Sequence, residues 1–216
     1  MILEGPGYSN PLPRSFYQPS AKDVAPSLLG HWLLRNTTQG PIGGPIVETE
    51  AYLADDPACH AAPGLTLRNR VMFGEPGHAY VYFIYGCHFC VNAVCRPSGT
   101  AEAVLIRAVE ASIGLPAMFR RRRVDLEQRL TNGPAKLCEA MNIDRALDGV
   151  DLCDPRSELF IAENIHLAAF RKLRGPMVTT VRVGISRAAD LPLRFYLNRS
   201  LYVSRRCAPQ PRVSLR

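Results

Sequence analysis

The sequence predicts a single α+β domain in which helices flank a curved, mainly antiparallel sheet with a protruding β-hairpin. Three observations predict it. Strand-forming runs outnumber helical stretches and follow one another without the regular strand–helix alternation of a doubly wound sheet. Two of these runs, residues 80–85 and 88–95, are separated by Gly86-Cys87, and a Gly-first dipeptide between β-rich runs marks a hairpin. Finally, a chain of 216 residues that is 47% hydrophobic can bury one sizeable core.

Residues 1–19 are rich in Gly and Pro and lack periodicity, so they read as a flexible N-terminal arm, with 20–216 forming the domain. Ser20 is placed to cap a short helix that runs to residue 29 and stops at Gly30. Strands are expected at 31–36 and 45–52. Residues 54–79 hold Asp55-Asp56-Pro57, Pro63-Gly64 and Pro76-Gly77 as turn signals, and a loop this long inside a domain is functional or disordered. After the hairpin, 103–110 reads as a further strand. Pro116 opens a helical stretch that contains Arg120-Arg121-Arg122-Arg123, and Pro134 opens another through Met141. Shorter strands are expected around 159–162, 179–186 and 194–197.

The formal charge of +7 favours an anionic partner, either nucleic acid or an acidic membrane surface. Of the 26 basic residues only 3 are lysine. The guanidinium fork matches phosphate bidentately, so this bias suits a phosphate-rich ligand; GC-rich coding would produce it equally. No apolar run reaches membrane-spanning length and the N-terminus lacks a signal-peptide core, so a soluble intracellular protein is expected, of the cytoplasm or nucleoid if the source is bacterial. Seven Cys without framework spacing read as reduced thiols. Cys87-x2-Cys90 resembles half a zinc site, but positions three apart on a strand face opposite ways, and no metal is expected.

Glu48, Glu50 and Tyr52 share one face of their strand. Two carboxylates there form either an acid/base pair or the wet side of an edge strand. Sequence alone favours the wet side. Tyr80 reads as core. Tyr85, beside the hairpin turn, is poorly placed for burial and suits a wedge between base steps. Arg68, Arg70 and Arg107 are candidates to meet phosphates or a carboxylate.

Read together, several segments resemble the alkyladenine (3-methyladenine) DNA glycosylase family of monofunctional base-excision repair enzymes. They are Gly44-Pro-Ile-Val-Glu-Thr-Glu-Ala-Tyr52, His60, Arg68-Asn-Arg70 with Met72-Phe73, Pro76-Gly77, Tyr80-Val-Tyr-Phe-Ile-Tyr-Gly86, Asn92, Val104-Leu-Ile-Arg107, Gly133-Pro-Ala-Lys-Leu-Cys138 and Arg194-Phe195-Tyr196. The match runs from about residue 20 to 203.

The resemblance implies that Glu50 activates the attacking water, with Glu48 in support and Arg107 holding both Glu50 and the water. It implies that the extruded base stacks between Tyr52 and Tyr82, with His60 completing the wall. Asn92 would crowd the exocyclic amine of guanine. Tyr85 would fill the gap left in the minor groove, with Met72 and Leu105 pressing on the DNA near the lesion. Arg68 and Lys136 would be phosphate or scaffold contacts rather than part of the chemistry. The implied partner is double-stranded DNA carrying damaged purines, engaged by a monomer without cofactor. His78 and His88 lie outside the family pattern. Two other readings stay open on residues alone: a lesion-binding protein that flips bases without cutting, and a general nucleic-acid-binding module whose hairpin stacks bases.

Overall fold

A computed structural model of the chain describes residues 7–206. Among these residues four α-helices and nine strands are arranged around one sheet, and every strand pair is antiparallel. The strands are β1 (Tyr8–Pro11), β2 (Trp32–Arg35), β3 (Ile42–Tyr52), β4 (Ala79–Ile84), β5 (His88–Cys95), β6 (Glu102–Val109), β7 (Leu159–Asn164), β8 (Met177–Thr180) and β9 (Arg194–Leu197). The helices are α1 (Ala21–Leu28), α2 (Leu115–Arg122), α3 (Pro134–Met141) and α4 (Leu167–Arg174). The order across the sheet is β1-β7-β2-β3-β6-β5-β4, with β9 also paired to β3, and β8 to β9.

β3 is the hub because it is long enough to serve two partners along one edge. Its first residues, Ile42 to Pro45, pair with β2, whereas Glu48 to Glu50 pair with β9. Its other edge is taken by β6. With partners on both edges and α1 packed against it, ten of its eleven residues are buried. Backbones crowd most closely at Gly44, where an added Cβ would lie 1.7 Å from the Glu110 carbonyl oxygen. Only glycine fits there, which accounts for the glycine at the head of the Gly44-to-Tyr52 segment.

Helix α1 begins where the capping signal placed it: the Ser20 hydroxyl accepts from the Lys22 N–H. Its buried face, with Val24, Ala25 and Leu28, packs on β3 and β6. The Thr49 hydroxyl donates to the Ala25 carbonyl at 2.9 Å, a second tie between α1 and β3.

Three expectations are corrected. From residue 8 onward the N-terminal segment is integrated rather than a loose arm. β1 pairs with β7, Tyr17 is fully buried, and Arg14 reaches the Pro76 carbonyl, His78 and Asp151. His78, one of the two histidines outside the family pattern, is held in that tie. The strand expected over 179–186 ends at Thr180, and residues 181–191 run on as a loop that packs against the site. The hairpin turn holds three residues rather than two, with Ile84 opposite His88, Tyr85 at φ 54° and Gly86 at φ 72°. Helix α4 carried no start signal strong enough to be seen in the sequence.

Replacing Gly44 with Ala forces its Cβ onto the Glu110 backbone, which neither strand can vacate. The expected cost is on the order of 3 kcal/mol or more. Thermal unfolding checks it: a melting temperature equal to that of the unsubstituted protein would show that the strands can separate here.

Candidate active site

Glu48 and Glu50 sit side by side on β3 and both are fully buried, not on a wet face. What makes this possible is a pair of β-bulges. Val47 is the extra residue on β3, between the pairs Ile46–Val109 and Glu48–Ala108. Arg107 is the extra residue on β6, between Ala108 and Ile106, so the two shifts cancel beyond the site. Bulges twist a strand locally and re-aim its side chains. Here Arg107 is turned onto both carboxylates: its Nε donates to Glu48 Oε1 at 2.8 Å, and its Nη1 lies 3.2 Å from Glu50 Oε2. From β9, Arg194 Nε donates to the same Glu48 oxygen at 2.7 Å.

Two carboxylates and two guanidiniums therefore cancel inside the protein. Burial alone would lower the pKa of Arg107, but Glu50 and Glu48 outweigh it and hold the guanidinium above its ordinary value. Glu50 has two further donors, the Tyr52 hydroxyl at 3.0 Å to Oε2 and the Val183 N–H at 2.8 Å to Oε1.

Over this cluster opens a cleft of about 390 Å3. Its lining includes Tyr52, His60, Met72, Tyr80, Tyr82, Tyr85, Asn92, Leu105 and Arg107, with Cys90, Pro134, Val183 to Ile185 and Arg205. Eight of the side chains singled out in the sequence thus meet in one space, with the Glu50 carboxylate behind Tyr52 and beside Arg107. The aromatic walls are mutually braced. Tyr80 and Tyr82 are tilted at 5.4 Å between centroids, and His60 stands edge-on to Tyr82 at 4.3 Å. Burial raises the pKa of Tyr52 and Tyr82 well above the ordinary tyrosine value and takes Tyr80 to about 12, so all three are neutral phenols at pH 7.

His60 reaches the cleft from the long 53–78 loop. Its Nδ1 is 3.1 Å from the Tyr80 hydroxyl, and its carbonyl accepts from Asn69 Nδ2 at 2.9 Å. Asn69 is buried, also donates to the Gly64 carbonyl and accepts from the Thr66 N–H. It knits the loop into one shape. The Asn92 amide is oriented in turn by its donation to the Tyr80 carbonyl at 3.0 Å.

Tyr85 is 78% exposed at the hairpin tip, at the rim of the cleft, in a left-handed conformation that a bulky residue seldom adopts. Met72 and Leu105 are 2% and 4% exposed. They form part of the inner wall of the cleft. Arg68 and Lys136 do not line the cleft. Arg68 donates to the Phe83 carbonyl and lies 5.8 Å from the Tyr82 ring centroid, whereas Lys136, in the first turn of α3, is bonded to Asn132.

Arg121 and Arg122 of the arginine run donate to the Ala140 and Leu130 carbonyls, tying α2 to its neighbours. Cys87 is exposed and Cys90 buried, so they do not converge, and no group of metal-ligating side chains occurs among the described residues. No described helix is long and apolar enough to cross a membrane. Four participants escaped sequence reasoning: Asp56, Arg182, Val183 and Arg205. Two of them act through backbone groups or within a loop misread as strand, and Arg182 and Asp56 become partners only in three dimensions.

The family model for Methylpurine-DNA glycosylase (MPG) matches residues 15–201. The chain belongs to that family. It is 48% identical over 195 residues to a protein of Methanoculleus marisnigri, covering 90% of this chain and 99% of the relative. It is 46% identical over 195 residues to one of Carboxydothermus hydrogenoformans, with the same coverage, and 44% identical over 205 residues to one of Agrobacterium fabrum, covering 95% and 98%. All three relatives carry the name "Putative 3-methyladenine DNA glycosylase".

Burial, together with the Arg68 cation, holds the pKa of His60 below the ordinary 6.5, so the ring is neutral at pH 7. Affinity for duplex DNA should therefore show no step at 6.5 between pH 8 and pH 6. A step at that pH which His60→Gln removes would mean the imidazole is free to take a proton.

Proposed function

We propose that this chain is a monofunctional DNA glycosylase that flips damaged purines out of duplex DNA and hydrolyses the N-glycosidic bond. The lesions are 3-methyladenine, 7-methylguanine, hypoxanthine and ethenoadenine. The observation that carries the proposal is the buried Glu50 carboxylate, gripped by Arg107, Tyr52 and the Val183 N–H beside an aromatic cleft whose rim bears an exposed tyrosine. A module that merely stacks bases needs the aromatic cleft but not a buried carboxylate–guanidinium cluster.

The chemistry follows from the parts. Tyr85 enters the duplex where a base leaves it, which offsets part of the few kcal/mol of unstacking, a cost lowest for damaged pairs. The purine enters between the Tyr52 and Tyr82 rings. Their electron-rich faces favour alkylated purines, which carry positive charge. Asn92 presses on the purine edge and disfavours guanine's exocyclic amine. The bond from C1′ to the base nitrogen breaks with its electron pair leaving on the base, and the sugar becomes oxocarbenium-like. Glu50 stabilises that cation and takes a proton from the water whose oxygen bonds to C1′. Arg107 holds the carboxylate in place. With water as nucleophile no Schiff base forms, and the product is an intact strand with an abasic site. The protein works as a monomer on DNA drawn in by its +7 charge.

Incubation with duplexes carrying each lesion, followed by alkali, should reveal strand breaks at the lesion, with none before alkali and no borohydride-trapped covalent complex. Absence of release from every lesion would overturn the enzymatic reading, and a trapped complex would overturn hydrolysis. Tyr85→Ser should weaken lesion binding and slow excision by about tenfold or more, since the gap in the duplex is left unfilled. Unchanged excision by that variant would remove Tyr85 from the wedge role.

A further inference from the structure

Arg182 lies in the loop after β8, and its side chain is wholly buried. Its guanidinium forks onto the Asp56 carboxylate, Nη1 with Oδ2 and Nη2 with Oδ1 at 3.1 Å. Nη1 also donates to the Ala51 carbonyl at 3.0 Å and Nη2 to the Ala188 carbonyl at 3.2 Å. Its Cζ lies 4.7 Å from the centroid of the Tyr52 ring. The next residue, Val183, supplies the N–H that holds Glu50. A single side chain thereby touches the backbone between Glu50 and Tyr52, braces the Tyr52 ring, and fixes the loop that completes the coordination of Glu50.

Asp56 sits in the other loop, close to Ala58 and His60. Those two residues, together with Gly184 and Ile185, wall both the base cleft and an adjoining cleft of about 500 Å3. The ion pair is thus the fastening between two loops that share the cleft's far wall. We propose that Arg182 and Asp56 are positioning residues for base release: together they set the distance from the Val183 N–H to Glu50 and the tilt of Tyr52. Neither residue lines the cleft. The proposal rests on the role of Glu50 stated above.

A fastening that only held the fold together could be replaced by packed apolar groups, because buried ion pairs are commonly exchanged for hydrophobic residues without loss of stability. A fastening that positions the chemistry cannot, since misplacement by about 1 Å costs on the order of a hundredfold in rate. The test uses the full-length chain with a hypoxanthine duplex. It compares Asp56→Leu/Arg182→Met, Arg182→Lys and Glu50→Gln for melting temperature, duplex affinity and single-turnover release under enzyme excess.

The apolar double variant should melt near the parent and bind within about threefold, yet release base at least about tenfold more slowly. Arg182→Lys keeps the charge but not the fork, and should fall between the two. The double variant releasing base at the parental rate, while Glu50→Gln is inactive, would overturn the positioning role alone. Should the double variant fail to fold, a parental rate for Arg182→Lys would do the same. Retained release by Glu50→Gln would overturn the Glu50 reading and this inference together.

Discussion

Two carboxylates shut away from water, two residues apart on β3, are held there by two guanidiniums, and the rest of the site is arranged around that cluster. Isolated buried charges would cost several kcal/mol each, and removing one partner of such a group strands the others at about 3–5 kcal/mol. The contacts Arg107–Glu48, Arg107–Glu50 and Arg194–Glu48 draw on three adjacent strands, β6, β3 and β9, so the cluster also stitches the sheet at its centre. Apolar residues would stabilise that position as well. Keeping ionised groups there fits the proposed chemistry, in which the sugar becomes cationic.

From this constraint the division of labour between sheet and loops follows. The sheet supplies the rigid parts: Glu50 and Tyr52 from β3, Tyr82 from β4, Asn92 from β5 and Arg107 from β6. The loops close the space above, His60 from one side through Asn69, and Val183 to Ile185 from the other. The bulges at Val47 and Arg107 reconcile the two demands, since they turn a guanidinium onto the carboxylates without shifting the register of the strands beyond.

Much of this was legible in the sequence. Ser20 announced α1, Pro134 opened α3, and the runs on either side of Gly86 announced the β4–β5 hairpin, each through local chemistry. Of the residues carried over by the resemblance, Tyr52, His60, Met72, Tyr82, Tyr85, Asn92, Leu105 and Arg107 line one cleft beside Glu50, whereas Arg68 and Lys136 do not. What local reading could not supply is non-local. Glu48 and Glu50 look like a wet strand face until Arg107 and Arg194 arrive from elsewhere in the chain. β1 looks like a loose arm until β7, about 150 residues on, pairs with it, and Tyr17 until its carbonyl accepts from the Arg96 N–H. Met72 and Leu105 are buried in the cleft wall, a depth that no local pattern announces. Arg182 has no motif at all. Its meaning is its bond to Asp56, 126 positions away.

The central claim, that Glu50 and not its neighbour activates water, is tested most directly by single-turnover base release from a hypoxanthine duplex by Glu50→Gln beside Glu48→Gln, with duplex affinity measured for both. The predicted result is that Glu50→Gln binds the lesion and releases no base, whereas Glu48→Gln, destabilised but folded, retains measurable release. Release by Glu50→Gln together with its loss in Glu48→Gln would contradict the account and move the base to the other carboxylate.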